Sequence, residues 1–139
     1  MKSKVVLLLG TNLGDRSRNL IQAKEHLSEI GEIFQETSVM ETAPVGFTAE
    51  QDFYNQVLVF YTELSPVALL KALKVIEKKM GRVYTKPLSG EKYVSRIIDI
   101  DILFYENLKF SSKVLILPHE QVKSRKFVHE LLKNSEVIN

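Results

Sequence analysis

Residues 96–107 read RIIDIDILFYEN. Ile98, Ile100, Ile102 and Phe104 recur at every second position, which is the pattern of a β-strand. Side chains along a strand alternate faces, so these residues predict one apolar face while Asp99 and Asp101 project together from the other. Two residues of strand put the two Cβ atoms roughly 7 Å apart. At an effective dielectric of about 20, two negative charges at that distance repel by about 2 kcal/mol. A strand that carries such a pair needs something to offset the repulsion. Strict alternation would also place Arg96 on the apolar face, so the strand is expected to begin after it or to twist there.

Working outward, the 139 residues are the length of one domain, enough to bury about two-thirds of the unfolded chain's surface. With 45% hydrophobic and 26% charged residues the composition is that of a globular protein rather than a disordered one. Cysteine is absent, which excludes disulfide frameworks, thiolate nucleophiles and Cys-based zinc sites and suits a reducing compartment. No stretch approaches the ~20 apolar residues of a membrane span, and the opening MKSKVVLLLG has too short an apolar run for a signal peptide. A cytoplasmic location is therefore expected. A net charge of +2 does not call for a polyanionic partner.

Val5 to Leu9 read as a buried strand ending in the loop GTNLGD. Asp15 is a helix N-cap, followed by Leu20, Ala23, Leu27 and Ile30 at helical spacing, with Gly31 as the stop. Residues 33–42 read as extended. The segment TAPVGF at 42–47 interrupts, and YNQVLVFYT at 54–62 resumes as a strand. Ser65 and Pro66 start a second helix with Leu69, Leu70, Leu73, Ile76 and Met80 on one face, ended by Gly81. The segment GRVYTKPLSGEKYVSR, 81–96, has no sustained period, and a loop of that length inside a domain is functional or disordered. After the aspartate strand, Glu106-Asn107 predicts a turn into a hairpin, and a short helix is expected near 127–133. The order β, α, β, β, α, β predicts an α+β sandwich of ferredoxin-like type, a mainly antiparallel sheet with helices packed on it.

A lone D-x-D on a strand is also what a solvated outer face looks like. Here a basic loop carrying Arg82, Lys86, Lys92 and Arg96 arrives directly before it, and magnesium commonly uses one or two carboxylates plus substrate phosphates. The pair and the loop together point to metal-nucleotide binding, with the loop cations closing over a triphosphate. The glycines of GTNLGD lack the Gly-Lys-Ser/Thr ending of a P-loop and read as a tight strand-to-helix turn. His119, Lys123, Arg125 and Phe127 form a second basic group. Phe53 and Asn55 would share a strand face and offer a ring and an amide.

The pattern resembles 6-hydroxymethyl-7,8-dihydropterin pyrophosphokinase in five blocks: GTNLGDR at 10–16, ETAPVGFTAEQDFYNQV at 41–57, IEKKMGR at 76–82, RIIDIDILFY at 96–105 and LPHEQVKSRKFV at 117–128. The resemblance implies a single domain over 1–139, with a mobile basic loop near 82–96, that transfers pyrophosphate from ATP to the pterin hydroxymethyl group and releases AMP in folate biosynthesis. It implies that Asp99 and Asp101 bind two Mg2+ ions and that Arg82 and Arg96 are catalytic. Lys74, Glu77, Ile102, His119 and Arg125 would line the ATP site. Thr42, Val45, Phe53, Asn55, Tyr93 and Phe127 would surround the pterin. The expected partners are ATP and the pterin, with no nucleic acid and no membrane, and the expected state is a monomer. The chain departs from the family at Lys74, where glutamine is typical, at Tyr84 in place of a loop arginine, at Val114 and Ile116 in place of polar residues, and in a tail that stops at Asn139. An RNA-binding α+β module is the rival reading. It lacks the aromatic strand pattern such a surface needs, and two exposed aspartates would repel a phosphate backbone. A D-x-D glycosyltransferase would need more chain than 139 residues.

Overall fold

The computed structural model describes residues 1–44, 49–82 and 96–134. Strand β1 (Ser3–Thr11) leads into helix α1 (Arg16–Leu27), and β2 (Glu32–Glu36) and β3 (Met40–Thr42) come next along one sheet edge. Then come β4 (Phe53–Thr62), α2 (Pro66–Lys79) and β5 (Asp99–Tyr105). A small hairpin of β6 (Phe110–Ser111) and β7 (Ile116–Leu117), the single turn α3 (Gln121–Ser124) and α4 (Lys126–Asn134) complete the chain. The main sheet runs β2-β4-β1-β5 with β3 also on β4, and its strand pairings are antiparallel. This is the ferredoxin-like sandwich predicted by the element order.

The helix starts are set by the sequence. The Asp15 carboxylate accepts from the Arg18 N–H, and the Ser65 hydroxyl oxygen accepts from the Ala68 N–H with Pro66 at the first helical position. Each such cap contributes about 1 kcal/mol. Gly81 has a φ of 97°, which turns the chain out of α2 in a region that residues with a Cβ seldom enter.

Strands β4, β1 and β5 have two unlike faces. Val5, Leu7 and Leu9 of β1, Leu58 and Phe60 of β4, and Ile98, Ile100 and Ile102 beside them bury against α1 and α2. On the reverse face Val6, Leu8, Val57, Val59 and Leu103 bury against Val128, Leu131 and Leu132 of α4. Burying each such side chain contributes about 2 kcal/mol, so the two-sided core, rather than any polar contact, drives folding.

One expectation fails within β5. Phe104 does not continue the apolar face begun by Ile98, Ile100 and Ile102 but packs with the reverse-face cluster. The reason is a bulge. Leu7 opposes Ile102 and Val6 opposes Phe104, which leaves Leu103 without a partner on β1 and rephases the remainder of the strand. Tyr105 therefore returns to the helix-covered face, where its hydroxyl donates to the Leu64 carbonyl at 2.5 Å. Arg96 precedes the strand, which starts at Asp99, so its side chain does not enter the apolar face. Among the described residues no helix is long and apolar enough to cross a membrane.

Candidate active site

Where α4 no longer covers the reverse face, a cavity of about 400 Å3 opens over the middle of the sheet. Alternation decides what it receives: Phe53 and Asn55 from β4, Leu8 and Gly10 from β1, Asp99 and Asp101 from β5. Gly10 keeps the floor low, because a Cβ there would sit 3.4 Å from Asn55 Oδ1 and 3.8 Å from the Phe53 ring. The Asn55 amide donates to Thr42 Oγ1 at 2.8 Å and to the Met40 carbonyl at 3.1 Å, so β3 fixes its orientation. Phe127 and Arg125 arrive from the α3–α4 junction, with the Arg125 guanidinium 4.8 Å from the Phe127 ring centre.

The two carboxylates live in different electrostatic surroundings. Arg82 Nη1 donates to Asp99 Oδ1 at 2.7 Å and Arg96 Nη1 donates to Asp99 Oδ2 at 2.8 Å. Burial alone would raise the Asp99 carboxyl, but Arg96 and Arg82 together hold it below the usual carboxylate range. Asp101 lacks such a guanidinium pair among the described residues. Burial first, and the charge of Asp99 second, push it up to about 7, with the hydrogen bond from Gln121 Nε2 at 2.8 Å opposing. The repulsion anticipated between the pair is thus met on one side by two guanidiniums and on the other by a proton near neutral pH.

His119 is steered by the bulge. The Leu103 carbonyl accepts the His119 N–H at 2.9 Å, which brings the ring to the cavity wall. Its Nδ1 accepts from the Gln121 N–H at 3.2 Å, so the neutral ring carries its proton on Nε2, 4.0 Å from Asp101 Oδ1. Burial lowers the His119 pKa against the opposing pull of Glu120 and Asp99, so the ring is a neutral donor at pH 7.

Of the fifteen residues expected at the site, eleven line this one cavity: Thr42, Phe53, Asn55, Lys74, Arg82, Arg96, Asp99, Asp101, His119, Arg125 and Phe127. Val45 and Tyr93 lie outside the described residues, as do Tyr84, Lys86 and Lys92. Two are placed elsewhere. The Ile102 side chain is 2% exposed and packs in the helix-covered core, because alternation turns it away from its aspartate neighbours. Glu77 is fully buried beneath the cavity wall, bound to Ile100, Arg82 and Lys74. Sequence reasoning missed Gln121, Leu8 and Gly10. Strand alternation puts Leu8 and Gly10 on one face, but the continuous apolar run of β1 does not mark which face a site uses, and a single glutamine in a turn carries no signature.

Among the described residues no group of three or more His, Asp, Glu or Cys side chains gathers to hold a metal. The donor set still fits magnesium, which keeps several waters and takes one or two carboxylates together with phosphate oxygens. Asp99 and Asp101 face one cavity and supply that many oxygens, while Lys74, Arg82, Arg96 and Arg125 supply positive charge for phosphates. A second cavity, of about 440 Å3, lies between α1 and the β3–β4 edge. Its charged residues are already engaged, Lys24 with Glu36 and Glu41 with Arg16, which also sits 3.9 Å over the Tyr54 ring.

Known proteins resemble this chain in sequence and in fold. Residues 6–136 match the model of the family described as 7,8-dihydro-6-hydroxymethylpterin-pyrophosphokinase (HPPK). The chain is 42% identical over 126 residues to the mitochondrial folate synthesis bifunctional protein of Pisum sativum, an alignment covering 90% of this chain and 24% of that one. It is 40% identical over 126 residues to the 2-amino-4-hydroxy-6-hydroxymethyldihydropteridine pyrophosphokinase of Porphyromonas gingivalis, covering 89% of this chain and 84% of that one. The chain thus spans about a quarter of the plant relative and most of the bacterial one. A crystal structure of an HPPK-DHPS in complex with substrates superposes with a TM-score of 0.70 at 16% identity, over 96% of this chain and 40% of that one. A Plasmodium falciparum HPPK-DHPS gives 0.67 at 18% identity, over 92% and 40%. With residues 6–136 matched by one family model and a relative 40% identical over 89% of its length, the chain belongs to the 7,8-dihydro-6-hydroxymethylpterin-pyrophosphokinase family.

Proposed function

We propose that the protein transfers pyrophosphate from ATP to the hydroxymethyl group of 6-hydroxymethyl-7,8-dihydropterin, releasing AMP, as a step of folate biosynthesis. The observation that carries this reading is the single cavity in which paired carboxylates and four cationic side chains share walls with Phe53, Asn55 and Phe127. The pterin hydroxyl oxygen attacks the β-phosphorus, the bond from that phosphorus to the bridging oxygen of the α-phosphate breaks, and AMP leaves with that oxygen. Such transfer rests on positioning and charge neutralisation more than on acid–base chemistry.

The side chains that line the cavity support a role for each part of the reaction. Phe53 and Phe127 present rings on which a flat pterin stacks, and Asn55, held by Thr42 and Met40, reads its polar edge. Asp99 and Asp101 hold Mg2+, with two ions expected. When bound, the magnesium supplies charge neutralisation on the triphosphate. Arg82 and Arg96 stabilise negative charge on the transferring group, and Lys74, His119 and Arg125 line the nucleotide end. We further take 1–139 as one domain; of its basic segment near 82–96, residues 83–95 lie outside the described residues. We take the protein to act as a monomer.

The test is calorimetry with a non-hydrolysable ATP analogue and the pterin, with and without magnesium, on the parent and on Asp99→Ala. Magnesium-dependent nucleotide binding that promotes pterin binding, and its loss in the variant, is expected. Nucleotide binding indifferent to both magnesium and Asp99 would overturn the assignment.

A further inference from the structure

Two buried side chains outside the cavity wall grip the two arginines that reach Asp99. The first is Glu77 on α2, fully buried. Its Oε2 accepts the Ile100 N–H at 2.7 Å and lies 2.9 Å from Arg82 Nη1. Ile100 sits between Asp99 and Asp101 on a strand at the sheet edge, so this oxygen ties down both the aspartate strand and the guanidinium that reaches it. The Glu77 carbonyl also accepts the Arg82 N–H at 3.0 Å.

The second is Asn12 in the loop GTNLGD, 2% exposed. Its Oδ1 accepts the Arg96 N–H at 2.7 Å, and its own N–H donates to the Arg96 carbonyl at 3.0 Å. The next residues are secured in the same way. Thr11 Oγ1 donates to the Ile97 carbonyl at 2.6 Å, and the Asn19 amide donates to Thr11 Oγ1 at 3.0 Å and to the Leu13 carbonyl at 2.7 Å. The loop is therefore more than a turn between β1 and α1, because its side chains hold the main chain that enters β5.

We propose that Asn12 and Glu77 are positioning residues that hold Arg96 and Arg82 on Asp99 from the two ends of the segment 83–95, without touching either substrate. This rests on the reading of the site as a phosphoryl-transfer centre and assigns the loop GTNLGD a part in it. A displaced guanidinium loses its grip on developing charge, and a misplacement of about 1 Å can cost on the order of 100-fold in rate.

The experiment uses the full chain with Asn12→Ala, Glu77→Ala and Glu77→Gln. Glu77→Gln keeps an oxygen for the Ile100 N–H while removing the charge that holds Arg82, and it carries the test if Glu77→Ala does not fold. AMP release by the parent from ATP, magnesium and the pterin comes first; its absence would sink the proposed activity but not the anchoring, which has its own readout. That readout is solvent exchange of the arginine side-chain N–H signals in 15N-labelled protein. Asn12→Ala is expected to speed exchange at Arg96 about tenfold or more and leave Arg82 unchanged, and Glu77→Gln to do the reverse. In the active enzyme kcat falls about 10–100-fold in either variant, while the Kd of a non-hydrolysable ATP analogue stays within about threefold. Unchanged arginine exchange with only a lowered Tm would make both residues merely structural. A raised analogue Kd at parental kcat in Glu77→Gln would instead make Glu77 a wall of the nucleotide site. Either outcome overturns the proposal.

Discussion

The two faces of the sheet are built from alternate residues of the same strands, yet the face under α1 and α2 is packed solid while the other is hollow beside the start of α4. Ile100 and Asp101 show the difference at its sharpest. They are neighbours in sequence, one 2% exposed in the core and the other lining the cavity. Fold and proposed chemistry are thus interleaved residue by residue along β5, and a change at one position should disturb one without the other.

The largest effect that would break or uphold this division is expected at the cavity. Asp101→Ala should lower pyrophosphate transfer by about 1,000-fold, the scale of losing one electrostatic stabiliser, with the fold retained by circular dichroism. One residue away, Ile100→Ala should cost about 2–5 kcal/mol in denaturant unfolding, as deletion of a fully packed aliphatic does. Were Ile100→Ala to leave stability intact, the two faces would not be divided as described. Phe127→Ala should weaken pterin binding by about 1–3 kcal/mol in calorimetry, the range for stacking a flat heterocycle on a ring, and leave metal-dependent nucleotide binding nearly unchanged.

The smallest effect is a pH dependence. The Asp101 carboxyl has a pKa of about 7 in the metal-free fold, above its unfolded value near 3.8. The folded state therefore binds more protons than the unfolded state between those values. The contribution of this group to stability is fully present below about 3.8 and is lost as pH rises through about 7. Asp101→Asn, which keeps the group neutral, should stabilise the metal-free protein above pH 7 by at least the ~1.4 kcal/mol that one pK unit represents, and do little near pH 4. Thermal melts at the two pH values in chelator, which should diverge only at the higher one, sharpen the contrast. Magnesium affinity should fall as pH drops below about 7, because the ion competes with that proton.

How much of this was legible in the sequence depended on how local the signal was. The aspartate pair was readable because alternation is a property of a single strand, and the caps at Asp15 and Ser65 because each is settled within one turn of helix. Phe104 was misplaced because a bulge is a relation between two strands, visible only once Leu103 is found to have no partner on β1. Ile102 and Glu77 were expected at the nucleotide because family position fixes where a residue lies along the chain and not which way its side chain turns. Asn12 was read as part of a turn because its partner, Arg96, is 84 residues away.

The extra residue at Leu103 has a consequence for how such a protein can change. It works as a joint in β5, letting the first half face the cavity while the second half is set by the contact of Tyr105 with Leu64. Substitutions that retune one half need no compensating shift in the other. A deletion that straightened the strand would couple the two again, and would leave His119 without the carbonyl on which it is hung.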